Sequence, residues 1–177
     1  MKLRFASTAF DGEGARRQAG RWNSEGTPVV YTASTVSLAA LELLVHAGVE
    51  DMPSGYVVIP VDIPKSLRIE SVGLAALPAH WRGCAPYPRE CQMLGDAWVA
   101  SKRTVVLTVP SVVVPIEQNH LLNPVHPDFR KLAIGKPEKF EFDERLVERK
   151  ARRPAGADLR AIGPRERGSA SSALAAL

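Results

Sequence analysis

The sequence predicts one α+β domain with a mixed sheet. Three observations lead there: β-branched runs dominate over a few helical stretches, strands and helices do not alternate as βαβ units would, and 177 residues of 45% hydrophobic content form one core of ordinary size.

Leu3 to Ser7 reads as a first strand, followed by a glycine-containing loop, Asp11-Gly12-Glu13-Gly14. Arg21-Trp22 and Val29-Val30-Tyr31 read as paired strands joined by the turn-rich segment 23–28. The period then changes. Ser34 or Thr35 caps a helix with Leu38, Leu41, Leu44 and Val45 as its apolar stripe and Gly48 as its stop. Glu42 sits in the middle of that helix, with His46 one turn further along the same side.

Tyr56 to Ile63 alternates and reads as a strand interrupted by Pro60, and Leu67 to Glu70 adds a short extended piece. Leu77 to Pro88 holds three prolines and Gly83 and reads as an irregular surface excursion. Glu90 to Lys102 carries Met93, Leu94, Ala97 and Trp98 at helical spacing, against the propensity cost of Gly95. Thr104 to Val109 and Val112 to Ile116 read as buried strands flanking Pro110-Ser111, where the missing donor of the proline interrupts the sheet. Gln118 to Pro127 reads as a loop, Lys139 to Phe142 as a last strand, and a short helix follows from Asp143. There is no internal repeat.

Charge divides the chain. Residues 1–147 hold 16 basic and 16 acidic side chains, whereas residues 148–177 hold seven against three, so the net +4 belongs to the end of the chain. That Ala/Arg/Gly/Ser-rich segment reads as a disordered tail, and the neutral body argues against direct nucleic-acid binding. No run has the roughly 18 to 20 apolar residues of a membrane span, and the first residues lack a secretory core, so the expected location is the cytoplasm, with no membrane contact. Cys84 and Cys91 are expected as free thiols. With His80 they fall short of a metal-ligand set, so no metal is expected.

The chemistry concentrates in Gly20-Arg21-Trp22-Asn23, with Tyr31 and Glu42 following on successive elements. Arg21 offers a planar fork of donors suited to paired phosphate oxygens, or else a surface ion pair. Tyr31 offers a flat face and a hydroxyl, or else a half-buried strand residue. Glu42 offers a carboxylate, or else a solvated helix face. Ser111 lies at the break in the sheet. It lacks the Gly-x-Ser-x-Gly elbow expected of a nucleophile.

Seven pieces carry a resemblance: Gly12-Glu13-Gly14-Ala15, Gly20-Arg21-Trp22-Asn23, Val29-Val30-Tyr31, Leu41-Glu42, Gly95-Asp96-Ala97-Trp98, Val109-Pro110-Ser111 and Asn123-Pro124-Val125-His126-Pro127-Asp128-Phe129. Together they span about residues 3–147 and resemble the RES domain, named for its arginine, glutamate and serine. Where that family often has paired glycines before the arginine, this chain has Ala19-Gly20. Residues 151–177 have no counterpart in the pattern.

The resemblance implies a fold similar to ADP-ribosyltransferase toxins and a toxin that consumes NAD+ as substrate rather than as cofactor. It also implies an Xre-like antitoxin as partner and a toxin homodimer within the complex. In that reading Arg21 anchors phosphate, Tyr31 shapes the nicotinamide site, Glu42 stabilises the ribosyl cation and Ser111 fixes the sugar or the amide. Arg4, on the first strand, is a second phosphate candidate. Trp22 and Asn23 line the pocket, or else are a core tryptophan and a turn asparagine that need no ligand, and Asn119 and His126, with Asn123, organise the loop beside Ser111. His46 and His126 are proton-transfer candidates for which a structural role is the simpler reading. A partner segment placing a carboxylate or carbonyl against Arg21 is the simplest block on such a site. Water, phosphate or a protein side chain remains open as the acceptor, and so does a non-catalytic partner of an Xre-like DNA-binding regulator.

Overall fold

Thr104 to Pro110 is buried without interruption, as its β-branched run requires, and it forms the middle of the molecule. The computed structural model describes residues 1–46, 55–83, 86–143 and 145–146. Within them, β5 (Val106–Pro110) lies between β6 (Gln118–Leu122) and β4 (Ile69–Ser71), and β6 also pairs with β1 (Val30–Ala33). The order β1-β6-β5-β4 is antiparallel except for the parallel pair β4 and β5, so the sheet is mixed, as the sequence predicts. Two small antiparallel pairs flank it. One joins β2 (Tyr56–Val58) to β8 (Glu138–Phe140), and the other joins β3 (Val61–Asp62) to β7 (Ala133–Ile134).

The register divides the large sheet into two faces. Tyr31, Leu121 and Leu107 form one cross-strand row, and Ala33, Asn119 and Val109 form the next row on the same side. That side packs against Trp22, Trp81, Cys91, Trp98 and Val99, the last three from helix α3 (Arg89–Ser101). The opposite side presents Val30, Leu122 and Val106 to a second cluster with Phe10, Ile63, Leu67 and Phe129. Each fully buried Val or Leu on these faces contributes about 1.5–3 kcal/mol.

Several sequence expectations are corrected. Leu3 to Ser7 is not a strand but a 3-10 helix, Leu3–Thr8. The N-terminus meets the β2 segment through Met1, Lys2 and the Leu3 N–H bond to Gly55 O, and Phe5 N–H then turns back to Lys2 O. Arg21-Trp22 does not pair with Val29–Tyr31, because the chain closes a tight turn from Gly20 to Asn23 and β1 takes β6 as its partner. Val112 to Ile116 is a loop. Ser111 Oγ accepts Val113 N–H at 3.1 Å and Val114 N–H at 3.0 Å, which removes donors a strand ladder would need. The strand instead follows as β6, at residues read as loop.

A short helix α1 (Glu13–Arg17) precedes the turn at Gly20, and helix α2 (Val36–His46) starts where expected, with Thr35 Oγ1 accepting Leu38 N–H at 3.1 Å. Its stripe is narrower than predicted. Leu38 is buried, but Leu41 and Val45 are exposed, because α2 meets the sheet at its edge strand β1. Gly48, Cys84 and residues 148–177 lie outside the described residues, as does most of the helix expected from Asp143. No helix among the described residues is long and apolar enough to cross a membrane.

Candidate active site

Glu42 projects from α2 onto the sheet face that carries Tyr31 and Asn119. Its Oε1 accepts two hydrogen bonds, from Ser111 Oγ at 2.8 Å and from Asn119 Nδ2 at 2.7 Å. Three elements converge here: α2, the bend after β5, and the first half of β6. Oε2 receives no protein hydrogen bond among the described residues. The carboxylate is therefore oriented by two donors on one oxygen.

Ser111 is fully buried, and its hydroxyl is saturated by one donation to Glu42 and two acceptances from backbone N–H groups. It acts through Glu42. No hydrogen-bonding capacity remains for a sugar or an amide.

Tyr31 stands on the same face, two residues along β1 from Ala33 and so about 7 Å away. Its hydroxyl donates to Asn23 Oδ1 at 2.8 Å and accepts Trp22 N–H at 3.1 Å, while the residue as a whole is 44% exposed. The polar tip is thus plugged into the 20–23 turn and the ring face is open. Burial of that tip, reinforced by Tyr87 and Asp96, pushes the phenol far above its ordinary value, so it stays neutral. Gly20 permits this insertion. A Cβ there would stand 2.6 Å from the Tyr31 hydroxyl.

Arg21 projects from that turn. Its Nη1 donates to Trp81 O and, at 3.0 Å, to Gly83 O, and its guanidinium lies 5.1 Å from the centre of the Tyr87 ring. Two carbonyls and a cation–π contact fix the plane, leaving Nη2 and Nε without protein acceptors among the described residues. Arg21 makes no ion pair there. The described part of the excursion from Leu77 to Pro88 is irregular as expected, but it is no mere surface feature. Trp81 is buried against Trp22, with ring centroids 6.5 Å apart, and this anchors the carbonyls that hold Arg21. Tyr87 escaped the sequence reading, since a lone tyrosine between prolines carries no periodic signal.

One face of α3 supports the whole turn. Gln92 donates to Gly20 O at 3.0 Å, Asp96 accepts Ser24 N–H at 2.9 Å, and Gly95 between them faces the Trp22 carbonyl so closely that a Cβ would lie 1.8 Å from its oxygen. The helix-weakening glycine is there because the turn needs its space.

The remaining candidates fall elsewhere. Trp22 is a core residue, and Asn23 is fully buried, donating to Ala15 O at 2.8 Å and to Ser24 O at 3.0 Å. Both shape the turn from behind rather than lining a pocket. Arg4 lies on the N-terminal 3-10 helix over its neighbour Phe5, and that segment is tied to Gly55 and Val57, not to Arg21. His126 and Asn123 are not beside Ser111. Running through β6 carries the chain from Asn119 to Asn123, about 13 Å along the strand. There His126 Nδ1 accepts Asp128 N–H, so Nε2–H donates to Lys102 O at 3.0 Å, and both ring nitrogens are committed. His46 ends α2, and its side chain lies outside the described residues. Cys91 is buried in the core, and no group of three or more metal-ligating side chains occurs among the described residues.

A family model for the RES domain matches residues 2–143. The chain belongs to the RES domain family. Among relatives of this RES domain, a protein named Toxin Res from Photorhabdus laumondii is 38% identical, covering 84% of this chain and 95% of that protein. A protein named Prs ADP-ribosylating toxin from a Sphingobium species is 36% identical, covering 81% and 89%. A chain of the crystal structure of the M. tuberculosis MbcT–MbcA toxin–antitoxin complex superposes with a TM-score of 0.60, covering 78% of the RES chain and 79% of its own length. At 19% identity that likeness concerns the fold, which is the mixed α+β architecture described above.

Proposed function

We propose that this RES domain is the toxin of a toxin–antitoxin pair and that it cleaves the nicotinamide–ribose bond of NAD+. The observation that carries the reading is the Glu42 carboxylate, oriented through Oε1 with Oε2 free, on the same sheet face as the open ring of Tyr31 and the immobilised Arg21. In NAD+ the bond from C1′ to the pyridinium nitrogen breaks with its electron pair passing to nitrogen, so nicotinamide leaves neutral and needs no general acid. Positive charge grows on the ribose as it leaves. A carboxylate that accepts a ribose hydroxyl beside that charge binds the transition state more strongly than the substrate. Tyr31 offers its ring face to the nicotinamide, and Arg21 offers Nη2 and Nε to the pyrophosphate.

The names of the relatives support a toxin acting with an antitoxin, and an Xre-like protein is the proposed partner, with a toxin homodimer inside the complex. One relative's name favours a second reading of the same first step, in which a protein side chain accepts the ADP-ribose. Purified partner-free protein incubated with NAD+, with and without phosphate, separates these possibilities when nicotinamide and ADP-ribose products are followed by chromatography. Release that requires Glu42, lost in Glu42→Ala, is the expected result. Its dependence on phosphate names the acceptor, and no release from folded protein would overturn NAD+ cleavage without a protein acceptor. Arg21→Ala is expected to weaken both turnover and antitoxin binding. Unchanged antitoxin affinity would place the inhibitory surface elsewhere.

A further inference from the structure

Asn119 Oδ1 is the buried side-chain polar atom that finds no hydrogen-bond partner among the described residues. The amide has no freedom to turn over. A carboxylate only accepts, so the Nδ2 donor must face Glu42 Oε1, 2.7 Å away, and the acceptor Oδ1 must face the other way. A buried acceptor left unpaired is costly, and such an atom in a site marks where a ligand donor belongs.

Its position says which donor. Oδ1 and Nδ2 belong to one planar amide, so the unpaired acceptor lies one amide width beyond the donor that bonds the Glu42 carboxylate. Asn119 also shares its cross-strand row with Ala33, next to the row of Tyr31 on the same sheet face. Glu42 Oε2 and Asn119 Oδ1 are therefore two acceptors without protein donors among the described residues, at the outer ends of one hydrogen-bonded carboxylate–amide pair. The complementary ligand carries two adjacent hydroxyl donors.

We propose, resting on the reading of the site as an NAD+ ribose site, that Asn119 is a specificity-determining residue for the 2′,3′ cis-diol of the nicotinamide ribose, its Oδ1 accepting one hydroxyl while Glu42 Oε2 accepts the other. Asn119 thus holds Glu42 with one end of its amide and reads the sugar with the other. A role confined to holding the carboxylate would leave Oδ1 without purpose.

The test is a cycle between enzyme and substrate. Nicotinamide release is measured as kcat/KM for wild type, Asn119→Ala and the volume-conserving Asn119→Leu. The substrates are NAD+, its analogues lacking either the 2′ or the 3′ hydroxyl of the nicotinamide ribose, and the deamido analogue bearing a carboxylate for the carboxamide. Ratios are compared because removing a hydroxyl also alters the intrinsic reactivity of the sugar. Wild type is expected to discriminate against one deoxy analogue at least about tenfold more than either variant does. Equal discrimination in all three proteins overturns the proposal. So does discrimination against the deamido analogue that disappears in the variants, since the donor would then be the carboxamide. Absence of nicotinamide release from wild type on every substrate instead overturns the NAD+ reading itself.

Discussion

Asn119 and Asn123 stand four residues apart, one near each end of β6, and their amides are treated in opposite ways. Asn123 is fully buried, donates to Val99 O at 3.1 Å and accepts Val125 N–H at 3.1 Å, so it closes the corner between β6, α3 and the following turn. Asn119 donates to the Glu42 carboxylate and leaves its oxygen unpaired. Around Asn123 the neighbouring His126 is equally saturated. Around Asn119, Glu42 keeps Oε2 and Arg21 keeps Nη2 and Nε. Pairing completed within the protein marks scaffold, and pairing left incomplete on an oriented group marks a place for a ligand.

The largest expected effect of breaking this contrast is at Glu42. Glu42→Gln keeps an oxygen that Ser111 and Asn119 can still bond, so the fold is retained, but the charge that the proposed cleavage of NAD+ requires is gone. Nicotinamide release is expected to fall on the order of a thousandfold or more, with the melting temperature moved by no more than about 2–4 °C. A variant within tenfold of wild type would remove Glu42 from the chemistry.

Asn123→Ala is expected to do the reverse. Losing both side-chain bonds leaves Val99 O with only the Lys102 N–H, at 3.4 Å, and Val125 N–H without its acceptor, at a cost of about 1–3 kcal/mol in urea unfolding, while kcat/KM per folded molecule stays within about twofold. A selective loss of activity would make the far end of β6 part of the site.

The chemical residues were more legible than the strand that carries them. Arg21, Tyr31, Glu42 and Ser111 stand out in the sequence through the motifs that resemble the RES domain, since each alone also reads as an ordinary surface or strand residue. β6 did not stand out, since Gln118, Asn119 and His120 interrupt the apolar pattern by which a central strand is recognised. Val112 to Ile116 misled in the other direction. Its β-branched residues look like a strand, yet the Ser111 hydroxyl claims their N–H groups and Ile116 stands almost fully exposed. Local propensity is silent on such tertiary demands, and the same holds for Gly95, whose absent side chain makes room for Trp22 O. Trp22 and Asn23 were recognisable as important, but their neighbours in space decided that they support the turn.

Tyr87 sharpens the contrast on the phosphate side. If its ring only fills space, Tyr87→Phe and Tyr87→Ala differ little from wild type at steady state. If it holds the Arg21 plane, Tyr87→Ala is expected to raise KM for NAD+ by about two- to fivefold with kcat nearly constant, the size of an exposed cation–π contact, and Tyr87→Phe restores wild-type values. A fall in kcat with KM unchanged would place Tyr87 at the reacting centre instead.

The smallest effect separates the two faces of the sheet. His120 adjoins Asn119 in the chain but points to the opposite side. Its Nδ1 lies 2.9 Å from Thr108 Oγ1, and burial lowers its pKa below the ordinary histidine value. The folded protein thus resists protonating a group that the unfolded chain protonates freely near pH 6.5. Stability from this source is complete above that pH and is lost as pH falls below it towards the folded-state pKa. Urea unfolding at pH 7.5, 6.5 and 5.5 is expected to show a steeper decline for wild type than for His120→Gln. Because His120 lies behind the sheet, the two proteins should share one pH profile of nicotinamide release. A changed profile would mean that protonation behind the sheet reaches Asn119 through β6, and the two faces would no longer be independent.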